Sequence, residues 1–251
     1  MSKIGIIGFG KIGQTIGKHI NRKENHKLSF IQDPFFTPNE EYKEILIKEY
    51  NEDLYKETDL IVEAATADVL KENIENILKY SDLLTLSVTA FSDEEFTEKV
   101  KELCKKYNRH VYFPHGAILG MDGLFDAHSI VNKVTIETIK NPKSLNRTDV
   151  ERTIVYEGTT REACKLYPRN VNVHATVALA GIGFDKTYSK IISDPEVSTN
   201  SHRIHIEGEG IEFTLEISSF STGGVTGLYT PISACGSIDR IIDKEKWYMF
   251  V

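Results

Sequence analysis

Two sets of residues in this chain have types and spacing that could do chemistry. The first is Gly8-Phe9-Gly10-Lys11-Ile12-Gly13, a GxGxxG run within the first fourteen residues. In such a run the first glycine permits a tight turn, the second lets the backbone approach a pyrophosphate, and the third allows close helix–strand packing. The N–H groups of Lys11, Ile12 and Gly13 then open a helix, whose positive dipole end favours phosphate. Asp33 follows Gly13 by twenty residues, where a carboxylate accepts hydrogen bonds from an adenosine ribose. An Asp there repels a 2′-phosphate and no Arg follows it, so NAD is favoured, with NADP still open. The second set is Asp194-Pro195-Glu196-Val197-Ser198-Thr199-Asn200-Ser201-His202-Arg203-Ile204, a turn and polar loop leading to a His at the mouth of a strand. Imidazole titrates near neutrality and can take up or return a proton beside a redox cofactor. A capping or exposed histidine is the competing reading of His202.

These residues need elements to hold them. Lys3 to Ile7 reads as a buried strand, and Ile12, Ile16 and Ile20 recur every four residues on one helix face. A second strand, Leu28 to Gln32, ends at Asp33. Strand Asp59–Ala65, helix Ala67–Tyr80, strand Leu83–Val88, helix Glu94–Asn108 and strand Val111–Phe113 continue the alternation. Strand–helix alternation of this kind predicts a doubly wound parallel sheet, a Rossmann-type α/β domain over residues 1–113. Ala64 and Ala65, small residues at a strand end, leave room for the nicotinamide or its ribose. Glu63 reads equally as a site carboxylate or as a core-edge group bonded to nearby backbone.

After Pro114 the pattern changes. Residues 115–123 look irregular, and strand-like segments follow at Lys133–Ile139, Thr153–Tyr156, Lys186–Ile192, Arg203–Gly208 and Ile211–Ser218. With helices at Thr160–Tyr167 and Val171–Gly181, residues 114–230 are expected to form an α+β domain of several antiparallel strands. This domain would hold substrate. Helical spacing over about 231–245 suggests a C-terminal helix that returns to the nucleotide domain.

Composition narrows the function classes. The chain of 251 residues carries 30 Lys and Arg against 37 Asp and Glu, a net charge of −7. Such acidity opposes nucleic-acid binding by phosphate neutralisation, and no apolar stretch is long enough to span a bilayer. Three scattered cysteines without CxxC spacing read as reduced thiols of a cytoplasmic protein, with no metal site. His26 and His110 lie in charged segments expected at the surface, and His205 should face away from His202.

Several segments together resemble the L-aspartate dehydrogenase family. They are the glycine motif, Val62–Ala65, Leu86–Ala90, Pro114–Gly123, Tyr156–Ala163, Tyr167–Val173 and Asp194–Ile204. The resemblance runs from residue 1 to about 218. It implies oxidation of L-aspartate to iminoaspartate, which hydrolyses to oxaloacetate and ammonia and can feed pyridine-nucleotide synthesis. It implies His202 as the acid/base, Ala117 and Asn172 at the nicotinamide end of NAD(P), and His115 and Asn200 at the substrate, in a homodimer. For Asn172 the competing reading is a polar residue bonding backbone at a helix N-terminus.

The chain also departs from the family. His115 and Leu119 replace small residues in the loop expected to border the substrate, His174 replaces a small residue near Asn172, and residues 218–226 lack an expected Asn-Pro-Lys-Thr-Ser-like run. Another amino- or oxo-acid reductase, or an inactive nucleotide-binding regulator, is therefore the alternative reading. Lys140, Arg161 and Arg203 are the cations weighed as partners for substrate carboxylates, with surface ion pairs the competing role for each.

Overall fold

The structure is a computed structural model and describes residues 1–220 and 227–243. Residues 221–226 of the departing segment, and the end of the expected C-terminal helix beyond 243, lie outside the described residues. The described residues divide into two compact units, residues 1–114 with 231–243, and residues 115–220 with 227–230.

In the first unit, strands β1 (Ser2–Ile7), β2 (His26–Gln32), β3 (Leu46–Ile47), β4 (Leu60–Glu63), β5 (Asp82–Thr85) and β6 (Val111–Tyr112) form one parallel sheet in the order β3-β2-β1-β4-β5-β6. The helices are α1 (Lys11–Asn21), α2 (Glu52–Lys56), α3 (Ala67–Tyr80) and α4 (Glu94–Tyr107). Leu60, Ile61, Val62 and Glu63 are all buried, as strands covered on both faces must be. The strand order reverses direction between β1 and β4, and that switch point is where open α/β sheets bind ligands. Asn51, Thr66 and Asp93 cap α2, α3 and α4 with side-chain oxygens, satisfying amides that a helix start leaves unpaired.

Two expectations need correction here. The strand predicted to reach Val88 stops at Thr85, and Val88–Ser92 is a short 3-10 turn. His26 is only 6% exposed, because it opens a strand of the sheet opposite Ser2 of β1 and folding covers it despite its charged sequence context. At the other end of the chain, α8 (Tyr229–Ile242) buries Ala234, Cys235 and Ile238 against Ile4, Ile16, Ile20 and Leu60. Asp239 of this helix accepts from His19 Nε2 at 2.8 Å and Lys23 Nζ at 2.9 Å, both from the region of α1.

In the second unit, α5 (Met121–Ala127) precedes β7 (Val131–Lys140) and β8 (Thr153–Thr159), followed by α6 (Thr160–Leu166) and α7 (Asn172–Ala180). Strands β9 (Tyr188–Ser193), β10 (Asn200–Gly208) and β11 (Ile211–Ser219) complete a sheet in the order β11-β10-β7-β9-β8. The sheet is mixed, not wholly antiparallel as its strand-rich sequence suggests: β7 and β9 pair in parallel. The chain between them spans β8, α6 and α7, long enough for the crossover that a parallel pair requires. Helix α5 was unreadable in the irregular stretch because Gly120 and Gly123 flank and interrupt its short pattern. On the sheet face toward α5 and α7, Val134, Ile136, Ile204 and Ile206 pack with Ile118, Leu124 and Val177.

Candidate active site

The first unit builds a dinucleotide cradle. Gly8 has φ +87°, and a Cβ added there would come within 2.7 Å of the Ala65 Cβ, so only glycine fits the turn. A Cβ on Gly13 would run into the Gly8 carbonyl oxygen. Gly10 differs: it is exposed, and a Cβ there would meet no protein atom within 4 Å. Packing does not require glycine at that position, but close approach of a phosphate to its backbone does. Lys11 and Ile12 follow as the first residues of α1, and Ala64 and Ala65 come directly after the neighbouring strand β4, across the switch point. A dinucleotide's pyrophosphate fits these residues.

Asp33 is tied into the loop. Its Oδ2 accepts from the Phe9 backbone N–H at 2.7 Å, and its Oδ1 from those of Phe35 and Phe36 at 2.9 and 3.0 Å. A carboxylate offers about four lone-pair sites, so one remains for a ribose hydroxyl. Glu63 takes the structural of its two readings. Fully buried, it accepts from Ala65 N–H at 2.7 Å, Thr85 Oγ1 at 2.6 Å, and Ser87 Oγ and N–H at 2.9 and 3.3 Å. These bonds join the ends of β4 and β5. Burial pushes its carboxyl pKa upward, and the four donors oppose that rise.

A Gly8→Ala substitution should therefore cost about 1–3 kcal/mol through the left-handed φ alone, with the Ala65 clash added. Thermal unfolding with and without NADH would measure both the loss and the weakened cofactor stabilisation.

In the second unit the buried face of the sheet changes character along its strands. The inward positions of β7 run Val134, Ile136, Thr138, Lys140, all buried. His202 of β10 pairs with Thr138 across the ladder, so the two side chains share that face. The apolar core thus ends in a polar cluster. His202 is 5% exposed, and its Nδ1 lies 2.8 Å from Thr138 Oγ1. Thr138 Oγ1 is also 2.7 Å from Nε2 of His174, a buried residue of α7, whose Nδ1 is 2.9 Å from Ser189 Oγ. Burial, with the Lys140 charge nearby, pushes the His202 pKa down to about 3. The same causes, together with His202, hold His174 well below its ordinary range.

Both imidazoles are accordingly neutral in the folded protein, while unfolded imidazole takes a proton near pH 6.5. Stability is expected to fall as pH drops below 6.5, with a limiting slope of about 1.4 kcal/mol per pH unit for each ring. Urea unfolding at stepped pH would detect this, and His202→Gln should flatten the slope.

The three candidate cations differ in their partners. Arg161 makes a two-pronged pair with Asp185 at 2.6 and 2.7 Å, and exposed Arg203 pairs with Glu216 at 3.2 Å on the opposite face from His202. Lys140 is 5% exposed, and its Nζ donates to the carbonyl and Oδ1 of Asn170 at 3.0 and 3.4 Å. Among the described residues no carboxylate pairs with it. Desolvation pulls its pKa down to about 8.

The remaining site residues expected from sequence are dispersed within this unit. Asn200 begins β10 on the same side as His202 and pairs with Ser219. Asn172 is the first residue of α7, where its carbonyl accepts from Thr176 Oγ1. His115 and Ala117 lie half-buried in the loop after Pro114, and Leu119 is exposed. His205 turns outward to Thr214 and Glu207. Sequence reasoning missed Thr138 and Ser189, and it noted His174 only as a departure. Among the described residues no group of His, Cys, Asp and Glu gathers as a metal site, and no helix is long and apolar enough to cross a membrane.

A parallel sheet of this strand order with a glycine loop at its switch point, in a chain that also carries a buried imidazole on a mixed sheet, has the plan of a pyridine-nucleotide dehydrogenase. Residues 8–114 match the profile described as homoserine dehydrogenase, NAD binding domain, and residues 122–241 match that of aspartate dehydrogenase, C-terminal. The chain is 35% identical to an L-aspartate dehydrogenase of Methanosarcina mazei over 97% of its own length and 98% of the relative's. It is similar in structure to the crystal structure of aspartate dehydrogenase from Thermotoga maritima, with a TM-score of 0.82, 30% identity and full coverage of both chains. A dihydrodipicolinate reductase from Paenisporosarcina shares the fold at a TM-score of 0.57 and 16% identity, over 97% of this chain and 95% of that one. The chain belongs to the L-aspartate dehydrogenase family and is an amino-acid dehydrogenase.

Proposed function

We propose that this chain oxidises L-aspartate to iminoaspartate with NAD as acceptor, the imine hydrolysing to oxaloacetate and ammonia. Bound nicotinamide supplies the two-electron acceptor for the hydride leaving the substrate Cα. Gly8, Gly10, Lys11, Ile12 and Gly13 hold the pyrophosphate. Asp33 takes the ribose, which favours NAD over NADP, and Ala64, Ala65, Ala117 and Asn172 border the nicotinamide end. Neutral His202 accepts a proton from the substrate ammonium or from the water that attacks the imine. His115 and Asn200 contact the substrate.

The observation that carries this reading is that His202 of β10 and Lys140 of the adjacent β7 are both buried on one face of the sheet. A dicarboxylate needs a fixed cation, and a carboxylate arriving at Lys140 converts an uncompensated buried charge into an ion pair. Burial is the main cause of the low His202 pKa and the Lys140 charge the lesser one; a bound carboxylate offsets that lesser part and makes the base stronger. A cytoplasmic homodimer that feeds iminoaspartate to pyridine-nucleotide synthesis completes the proposal. Its support is the scattered placement of Cys104, Cys164 and Cys235, without CxxC spacing, the prevalence of two-fold assemblies and the family.

Purified protein given oxaloacetate, ammonium and NADH should consume NADH, and NADPH in parallel reads the cofactor preference. Turnover confined to monocarboxylic oxo acids would overturn the substrate assignment. Cofactor binding without turnover on any oxo acid would replace it with the regulator reading.

A further inference from the structure

The polar cluster behind His202 continues further into the second unit than a single orienting partner requires. Ser189 Oγ lies 2.7 Å from Thr160 Oγ1, and Thr160 Oγ1 donates to the backbone carbonyl of Thr187 at 3.0 Å. The unbroken series is therefore His202 Nδ1, Thr138 Oγ1, His174 Nε2 and Nδ1, Ser189 Oγ, Thr160 Oγ1 and the Thr187 carbonyl. All five side chains are buried.

Each hydroxyl has one proton, and each neutral imidazole has one N–H and one bare nitrogen. A series of such groups has only two self-consistent arrangements, each the reverse of the other. The Thr187 carbonyl chooses between them, because it can only accept. Thr160 must spend its proton on that carbonyl, so it accepts from Ser189. Ser189 then accepts from His174 Nδ1–H, and the bare Nε2 of His174 accepts from Thr138. Thr138, its proton committed, accepts from His202 Nδ1–H. The reverse arrangement would set the Thr160 hydroxyl lone pair against the carbonyl oxygen in a water-poor interior, where an unmade hydrogen bond is costly.

We propose that this relay is a tautomer lock: a backbone carbonyl five side chains away holds His202 in its Nδ1–H form and leaves Nε2 as the bare, proton-accepting nitrogen. Thr138, His174, Ser189 and Thr160 are positioning residues for that base. Uptake of a proton at Nε2 leaves every bond of the series in place, so no hydroxyl has to reorient during turnover. The lock itself stands on the second unit alone. Its consequence for rate rests on the proposed role of His202.

The test separates the two. Nitrogen NMR of protein labelled at histidine nitrogens, recorded at neutral pH, is expected to show a protonated Nδ1 and bare Nε2 for both His174 and His202. The two signals are assigned by their loss in His174→Gln and His202→Gln variants. A protonated Nε2 on His202 in the parent protein would overturn the lock, whatever the enzyme's activity. Thr160→Val removes the end of the relay without changing side-chain shape. It should move the His202 Nδ1 signal toward a tautomer mixture and lower kcat by about fivefold to tenfold, the bias of one neutral hydrogen bond. KM should be unchanged, and Thr160→Ser should restore both readouts. An unmoved nitrogen signal in a folded Thr160→Val protein would also overturn it. Locked tautomers in a protein without dehydrogenase activity would instead count against the proposed function and leave the lock standing.

Discussion

Replacing His202 by Ala is expected to lower kcat by roughly a hundredfold or more while leaving NADH affinity nearly unchanged. The ring is buried on the second unit's sheet, whereas Gly8, Gly10 and Asp33 belong to the first unit. Its neutrality also shapes the pH profile. With a pKa near 3 in the free protein, His202 stays unprotonated throughout the neutral range, and kcat/KM should show no imidazole limb at pH 6–7. NADH titration by fluorescence alongside steady-state kinetics would check both. A variant that loses cofactor binding in proportion to rate would reassign His202 to a structural role.

The second large effect is expected at Lys140. Lys140→Met removes the buried cation and should raise the KM for aspartate by roughly tenfold to a hundredfold, the worth of a charge-assisted contact. The same change deletes a desolvated charge whose partners among the described residues are the Asn170 oxygens, so thermal stability should hold or rise. A KM increase without loss of Tm separates substrate binding from folding. The ammonium loses its proton as pH rises through about 8, and with it the attraction for a carboxylate. A competitive dicarboxylate without an amine, which titrates only the enzyme, should bind evenly below pH 8 and about tenfold more weakly per unit above it. Lys140→Arg should carry that limb beyond the measurable range, since guanidinium does not deprotonate there.

The nucleotide half was legible because its constraints are local. Three glycines at fixed spacing, an isoleucine stripe and one carboxylate twenty residues on lie within 33 positions, and each is tied to a backbone geometry only its residue type allows. The relay was not legible. Thr138, His174 and His202 are separated by 36 and 64 positions in their contacts, and threonine and serine are unremarkable in strands. One signal was available: alternate residues of β7 pass from Val134 and Ile136 to Thr138 and Lys140, an inward stripe that turns polar. Lys140 could not be separated from Arg161 and Arg203 by sequence order, because the carboxylates that claim the two arginines, Asp185 and Glu216, pair with them only through the fold. The parallel pairing of β7 with β9 was likewise hidden, since alternation along a strand reports its faces and not its direction.

The clasp of Asp239 by His19 and Lys23 bears on how this protein is made. A ribosome emits the Gly8 region first, yet the layer beneath α1 is finished only when Ala234, Cys235 and Ile238 emerge. The last described strand of the later sheet ends at Ser219, so the order of completion is inverted: the earlier-synthesised unit is sealed last. A nascent chain stalled before Tyr229 would expose unfinished apolar surface to chaperones and proteases even with every strand of both sheets already translated.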